Sequence, residues 1–513
     1  MKAFRWFGST GAAAFALVLS ALASSGPPAR AEDPTAALEG TLSIVWGDPA
    51  PGVEGGETRF EIVRADGTKV PMKLDPADHP AAFAAFGKKV VATGRHEASE
   101  AGTGPFVAAS IAASAGPDAS ATEAPAAATV RKVLYILVKF KGDTQTPHAP
   151  IFFDKLTNPT IPNTALKIPA TINGYFAKTS WNNLQWQGVV AGNKWFTLPK
   201  TKAQYAPCGW NDACADLDGL AADAIALVKA AGIDVAAYDN LSFVVNNDLD
   251  CCAWGGSYYY GGKLYGATWE PPWGQETGTY IHEYGHSIGL PHSGWKYYAY
   301  DSPWDDMSNG SAASYVNCGT YTSANSGTTR SIYCTEPGAG YIAAHKDYKG
   351  WIPTANKRVI SAIGTTTLTI EADAMPLGTA VKMVKICIAG LACTGSNAVF
   401  YTVEARMKLA QYQKGLPGDG VIINHVNMAR GPIGAGNPCF FNSQSGWVLP
   451  VDATPNDYDS TACGPGTRVY PNYALFNAQF TKGKVFNTTG YGIKVEVLEK
   501  YTTGYRVRIT RSK

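Results

Sequence analysis

Residues 282–292 read His-Glu-Tyr-Gly-His-Ser-Ile-Gly-Leu-Pro-His, placing three imidazoles and one carboxylate within a single short stretch. On an α-helix, residues four apart stand one above the other on the same face. His282 and His286 can therefore share one metal ion, with Glu283 beside it but outside the pair. His292 follows six residues after His286. At about 100° per residue, a continued helix would carry it roughly 120° off the ligand face. The chain must leave the helix before His292. Gly289 accepts the left-handed conformation that ends helices, and Pro291 discourages continuation. Three neutral nitrogens with an open fourth position form the ligand set of a catalytic zinc ion rather than a structural one. A water in that position has a pKa of about 7, and Glu283 is placed to take its proton as the oxygen attacks an electrophilic carbon. The blander reading is that two histidines and a glutamate make a solvated helix face. Gly289 and His292, each at a position the metal geometry requires, weigh against it.

This extended pattern resembles the metzincin metallopeptidases, which also carry a methionine-containing turn after the third histidine. Met307, in Asp305-Asp306-Met307-Ser308, lies 15 residues after His292. Alone it would be ordinary core filler; behind this motif it is the expected floor of the metal site. The stretch from Tyr300 to Ser308 looks like the Met-turn region of the gametolysin family of secreted metallopeptidases. Thr179-Ser180-Trp181-Asn182-Asn183-Leu184, Trp195-Phe196-Thr197-Leu198-Pro199 and Ala344-His345-Lys346 through Gly350-Trp351 resemble other parts of those enzymes. Gly415 to Ile423 resembles a strand-turn signature that they share with the immune inhibitor A peptidases. The resemblance spans roughly residues 130 to 510. It implies a secreted zinc endopeptidase with His282, His286 and His292 on one catalytic zinc, Glu283 as the catalytic residue, and Gly289 and Met307 structural at the site. Peptide bonds of extracellular proteins are the implied substrate. Asn309 stands two residues after Met307, so the tyrosine ligand of the astacin pattern is not supported there.

The N-terminus has Lys2 and Arg5, an apolar run from Gly11 to Ala23, and Ala29-Arg30-Ala31 before Glu32. That is the layout of a secretory signal peptide cleaved near Ala31, giving an extracellular or periplasmic protein with no membrane span. All ten cysteines lie at or after Cys208. An even count in an exported chain favours disulfides, with sequential pairing expected for Cys208/Cys214, Cys318/Cys334, Cys387/Cys393 and Cys439/Cys463, Cys251 and Cys252 bonded either to each other or each to another partner, and a thiolate metal site as the rival. Some metzincins silence their precursors with a propeptide thiolate on the zinc. Nothing before Cys208 can do that here, so latency would need a carboxylate, a backbone group or steric cover.

The elements that must position the motif give an α+β expectation. A zincin/metzincin catalytic domain (residues 130–353) would be flanked by a small N-terminal β domain (32–113, a candidate propeptide) and a C-terminal β-sandwich-like domain (354–513). Residues 114–129, rich in Ala, Ser, Pro and Thr, read as a linker. Lys132 to Phe140 has the near-continuous apolar character of a fully buried strand, and residues 213–231 carry helical spacing. The tyrosine-rich stretch Ser257–Trp269 is a candidate edge strand, whose open side would bind an extended peptide through backbone hydrogen bonds. His345 is a candidate neighbour of the site, though a structural histidine is the commoner case. His425 is the other tempting extra; His79, His96 and His148 have no motif partner. No twelve-residue acidic loop supports calcium.

Net charge is +2, from 43 basic and 41 acidic residues, and no basic cluster argues for nucleic acid. A monomer acting on protein or peptide is expected. The alternatives are a catalytically idle matrix- or cell-wall-binding protein on a metallopeptidase scaffold, and a peptidase narrowed to glycoprotein or cell-wall peptides. The intact Glu283 and ligand triad weigh against the first. N-terminal sequencing of the active secreted protein would decide whether residues 32–128 are a removed propeptide.

Overall fold

A computed structural model describes residues 36–50, 56–75, 78–99, 102–114, 129–210, 212–294, 300, 302–310, 312–428, 447–454 and 475–513. The signal peptide assigned to residues 1–31 lies outside them, as do most of the linker and the Cys439/Cys463 pair.

The chain begins with β1 (Ala36–Pro49), β2 (Glu57–Val63), β3 (Lys69–Leu74), α1 (His79–Ala84), β4 (Lys89–Ser99) and β5 (Gly102–Ala113). These strands run β2-β3-β5-β4-β1, and β1 pairs back onto β2, closing a five-stranded barrel. Leu42, Ile44 and Trp46 on alternate positions of β1 fill its interior with Phe60, Ile62 and Phe106. Strand β1 changes partner from β4 to β2 near Gly40 and Thr41. A Cβ at Gly40 would overlap the Val63 carbonyl, so only glycine permits that crossover.

The next region contains β6 (Thr129–Lys139), α2 (Pro150–Thr157), α3 (Ile172–Thr179), β7 (Leu184–Val190), β8 (Phe196–Thr197), α4 (Lys202–Tyr205), α5 (Leu217–Ala230), β9 (Asn240–Val245), β10 (Cys252–Tyr260), β11 (Lys263–Glu270) and α6 (Thr277–Ser287). Strands β6, β7, β9 and β11 are mutually parallel and β10 is antiparallel to β11. The apolar run of β6 serves two cores. Leu134, Ile136 and Val138 face α5, while Val133, Tyr135 and Leu137 face α2, α3 and α6. Burial on both faces is why this strand shows no hydrophobic alternation.

After α6 come the hairpin β12 (Ser314–Thr322) and β13 (Thr329–Glu336), then α7 (Ala343–Tyr348). The remainder comprises β14 (Lys357–Ile360), β15 (Gly364–Glu371), β16 (Met383–Cys387), β17 (Val399–Arg406), β18 (Gly420–Asn427), β19 (Val448–Pro450), β20 (Val485–Thr488), β21 (Ile493–Tyr501) and β22 (Gly504–Arg511). They form one sheet of order β14-β16-β17-β18-β19 and another of order β15-β22-β21-β20. Val384, Val403 and Ile423 of the first share a core with Val495, Val507 and Ile509 of the second.

The structure corrects the α+β expectation. The chain is mostly β, with 41% strand against 18% helix, and it does not match an α+β zincin catalytic domain flanked by separate modules. Two physical facts account for the difference. Among the described residues only α5, at 14 residues, and α6, at 11, exceed eight residues. And β10 does not present an open edge, because Val45–Pro49 of β1 pair antiparallel with Cys252–Gly256. The barrel and the central strands are therefore one eleven-stranded sheet, in which β10 joins β1. The zinc-type motif specifies one helix and a turn; it does not specify the sheet around them.

Disulfides join Cys208–Cys214, Cys251–Cys252, Cys318–Cys334 and Cys387–Cys393. Disulfides of this number suit an extracellular protein. Among the described residues, no helix is long and apolar enough to cross a membrane.

Candidate metal centre

Helix α6 is fixed at both ends. Glu276 caps its N-terminus, its carboxylate accepting from Gly278 N at 2.8 Å and Thr279 N at 2.5 Å. The same carboxylate accepts from Thr335 N at 3.0 Å, tying the β12–β13 hairpin to the helix start. At the other end Gly289 adopts φ +87°, and Leu290 N returns to Gly285 O at 2.9 Å. That left-handed exit brings His292 round to the ligand face. Ser293 N then bonds to Met307 O at 3.1 Å, joining the segment after the third histidine to the Met307 turn.

The imidazoles converge through their Nε2 atoms. His292 Nε2 is 3.1 Å from His286 Nε2 and 3.1 Å from His282 Nε2. Two nitrogens about 2.05 Å from one tetrahedral ion would stand roughly 3.3 Å apart, so the spacing suits a single small cation. Protonation makes the same point. His282 Nδ1 is 2.7 Å from Asp306 O and His286 Nδ1 is 2.7 Å from Leu290 O. A carbonyl oxygen can only accept, so both Nδ1 atoms donate, and in the neutral rings both Nε2 atoms carry lone pairs. A cation between the Nε2 atoms would take up those lone pairs.

Met307 is fully buried beneath the helix. A Cβ added at Gly285 would overlap Met307 Sδ and lie 3.0 Å from both Met307 Cε and Tyr341 Oη. The glycine between the two histidines is thus required by the turn below it. The turn is held in place by its own carboxylates. Asp306 accepts from Tyr175 Oη at 2.7 Å and Gly340 N at 2.6 Å, and Asp305 accepts from Ile342 N at 3.2 Å. Residues 339–341 are gripped from the C-terminal sheets. The buried Arg406 of β17 donates to the carbonyls of Ala339, Gly340 and Tyr341 and faces Glu404 at 3.3 Å.

Glu283 lies beside the histidines, fully buried, with its carboxyl in side-chain contact with Asp48. Burial pushes its carboxyl well above the usual range, and the negative charges of Asp48 and Glu270 push it further. Gly255 of β10 gives it room, since a Cβ there would collide with the Glu283 side chain and backbone.

Two residues that sequence reasoning did not select complete the site. Asp48, near the end of β1, points its carboxylate into the triad. Its Oδ2 lies 3.3 Å from His282 Nε2 and 3.1 Å from His286 Nε2, and its Oδ1 lies 3.0 Å from His292 Nε2. Asp48, His282, His286 and His292 are all buried and form one group able to hold a metal ion. Burial alone would raise the Asp48 carboxyl, but the three imidazoles outweigh it and hold the group well below the carboxylate range. Burial drives His286 down to about 3. Tyr300 donates to Asp48 Oδ1, and its ring centroid is 4.9 Å from that of His292. The residue after the methionine turn, Asn309, instead bonds back to Ser302 O through its backbone. Asp48 has no local motif to mark it, the lack of an early cysteine alone hinting at a carboxylate, and Tyr300 entered only as the first residue of the stretch that resembles the Met-turn region.

The remaining histidines lie elsewhere. His345 is buried with Nδ1 3.0 Å from Asp305 Oδ2, a contact that braces the Met307 turn from behind. His148 stacks on Phe152, His79 packs against Phe60, His96 meets Phe106 edge-on, and His425 lies over Tyr401. A second acidic and thiol-bearing group, Asp250 with Cys251 and Cys252, has both sulfurs joined to each other and offers no thiolate. No family model matches this chain, and no curated protein matches it.

Proposed function

We propose that this chain is a zinc-dependent endopeptidase of extracellular proteins, with His282, His286 and His292 holding the ion and Glu283 carrying the proton. One observation bears most of the weight: a fully buried glutamate carboxyl beside three imidazoles whose Nε2 atoms converge. Burying an ionisable group is costly, and such groups recur where a reaction uses them. Zinc, when bound, would supply a Lewis acid that polarises a peptide carbonyl and acidifies water. Glu283 takes one proton from the attacking water, the hydroxyl oxygen bonds to the carbonyl carbon, and the C–N bond breaks. Glu283 then returns the proton to the departing amine, leaving a carboxylic acid and an amine. Asp306 O and Leu290 O hold the imidazoles of His282 and His286 in the tautomer that aims Nε2 inward. The likeness of Tyr300–Ser308 to the gametolysin methionine turn points the same way.

The competing reading is a structural metal site, because Asp48 provides a fourth ligand and closed four-ligand sites are structural. A structural site has no use for Glu283. The test is casein zymography of the wild-type protein and Glu283→Gln, each with and without a zinc chelator, after limited proteolysis to release any latent form. Wild type should clear casein and lose that ability with the chelator. The variant should keep one zinc per chain while activity falls by on the order of 100-fold or more. Cleavage at wild-type rate by Glu283→Gln would refute the assignment.

A further inference from the structure

The N-terminal barrel meets the metal centre as a peptide would. Its strand β1 lies antiparallel along β10, with Val45 opposite Gly256 and Pro49 opposite Cys252. Strand addition of this kind is how a sheet edge takes an extended peptide: main-chain bonds give affinity and alternate side chains enter pockets. The period of two then places Ile44, Trp46 and Asp48 on one face of β1. Trp46 stacks on the His286 ring at 4.7 Å and 9°, backed by Phe83 and Phe86 of the barrel. Two residues further on, the Asp48 carboxylate reaches all three Nε2 atoms. Other contacts lock the strand in this register. Ser43 Oγ and Ser257 Oγ are 3.0 Å apart, and Arg59 donates to Ala215 O at 2.7 Å while covering the Trp254 ring.

We infer that β1 is a built-in substrate-like strand that keeps the centre latent, with Asp48 in the metal's fourth position and the backbone of residues 45–49 on the β10 edge. The inference rests on the peptidase reading and extends it. The substrate is an extended polypeptide running antiparallel to β10, and it enters only when β1 is displaced or cut away. The barrel carries its own aromatic core of Trp46, Phe60, Phe83 and Phe106, so it is a folded plug rather than a loose tail.

Cobalt(II)-substituted full-length protein provides the test, titrated with acetohydroxamate and followed by visible absorption. If Asp48 holds the fourth position about 99% of the time, the probe binds the wild type about 100-fold more weakly than Asp48→Ala. The variant should keep one metal per chain. Equal probe affinity in the two proteins overturns the inference. So does loss of metal from Asp48→Ala, which would make Asp48 a permanent holding ligand. Should the alanine variant fail to fold by circular dichroism, Asp48→Asn is read in the same titration, and tight probe binding to the wild type alone is also a refutation. Casein cleavage separates the two ideas. Probe binding to Asp48→Ala with no cleavage even after limited proteolysis has removed the barrel leaves the plug standing and removes the peptidase. Cleavage by intact wild type as fast as by protein freed of its barrel does the reverse.

Discussion

Replacing Gly285 with alanine sets helix propensity against packing, and the structure decides the sign. Gly285 lies inside α6, where a change to alanine ordinarily gains about 0.8–1.0 kcal/mol. Here the added Cβ overlaps Met307 Sδ and crowds Met307 Cε and Tyr341 Oη at 3.0 Å each. Overpacking of a filled core costs about 1–3 kcal/mol, so the net change is a loss of roughly 0–2 kcal/mol. The displaced group matters more than the number. Met307 O receives Ser293 N, and the adjacent Asp306 O receives His282 Nδ1, so the turn moves with its ligand contacts. Loss of such outer contacts costs about 10–100-fold in metal affinity. The informative experiment is a double-mutant cycle with Met307→Ala, using urea unfolding of the metal-loaded proteins and competition with a chromogenic chelator. Met307→Ala alone should cost about 2–5 kcal/mol through its cavity. In that background Gly285→Ala should become stabilising by about 1 kcal/mol, giving a coupling of about 1–3 kcal/mol. Were Gly285→Ala to stabilise both backgrounds equally, the proposed contact between helix and turn would be wrong.

Three further outcomes follow from the same contacts. Glu276→Ala should lower stability by about 1–2 kcal/mol in thermal melts, because it removes the helix cap and frees Thr335 of the hairpin. Arg406→Met should cost about 3–5 kcal/mol by stranding Glu404, and should also weaken metal binding, which an unconnected C-terminal region would leave unchanged. His148, stacked on Phe152 at 3.7 Å, is pushed by burial from 6.5 to about 4. The unfolded chain therefore binds the extra proton between those values, and stability is lost as pH falls from about 6.5 towards 4. Relative to His148→Phe, the wild type should lose about 2.5 kcal/mol between pH 7 and pH 4.5 in denaturant titrations, and parallel pH profiles would contradict the assignment.

What could be read in the sequence was what neighbouring residues decide among themselves. The spacing of His282 and His286 and the exit at Gly289 follow from one helix and its end. The apolar run of Lys132–Phe140 declared a strand covered on both sides, and the four described disulfides join consecutive cysteines. What could not be read was decided by partners far along the chain. Strand β12 is largely exposed and has no apolar alternation, yet it is held to β13 by Cys318–Cys334 and by eight paired positions. Short polar strands of this kind move the balance from α+β to mostly β. Asp48 reads locally as the end of a strand before proline, and only the pairing of β1 with β10 carries it to the histidines. Nothing local marks Arg406 either, and only the fold buries it against residues 339–341.

The continuity of β1 with β10 has a consequence for solubility. If the barrel leaves, a row of main-chain amides and carbonyls on Cys252–Gly256 is bared at a sheet margin containing Gly255 and Gly256, which carry no side chains to obstruct a newcomer. Such a margin pairs readily with any extended strand, including a second copy of itself. On the proposed reading, the barrel would also keep the molecule from self-association until another polypeptide takes its place.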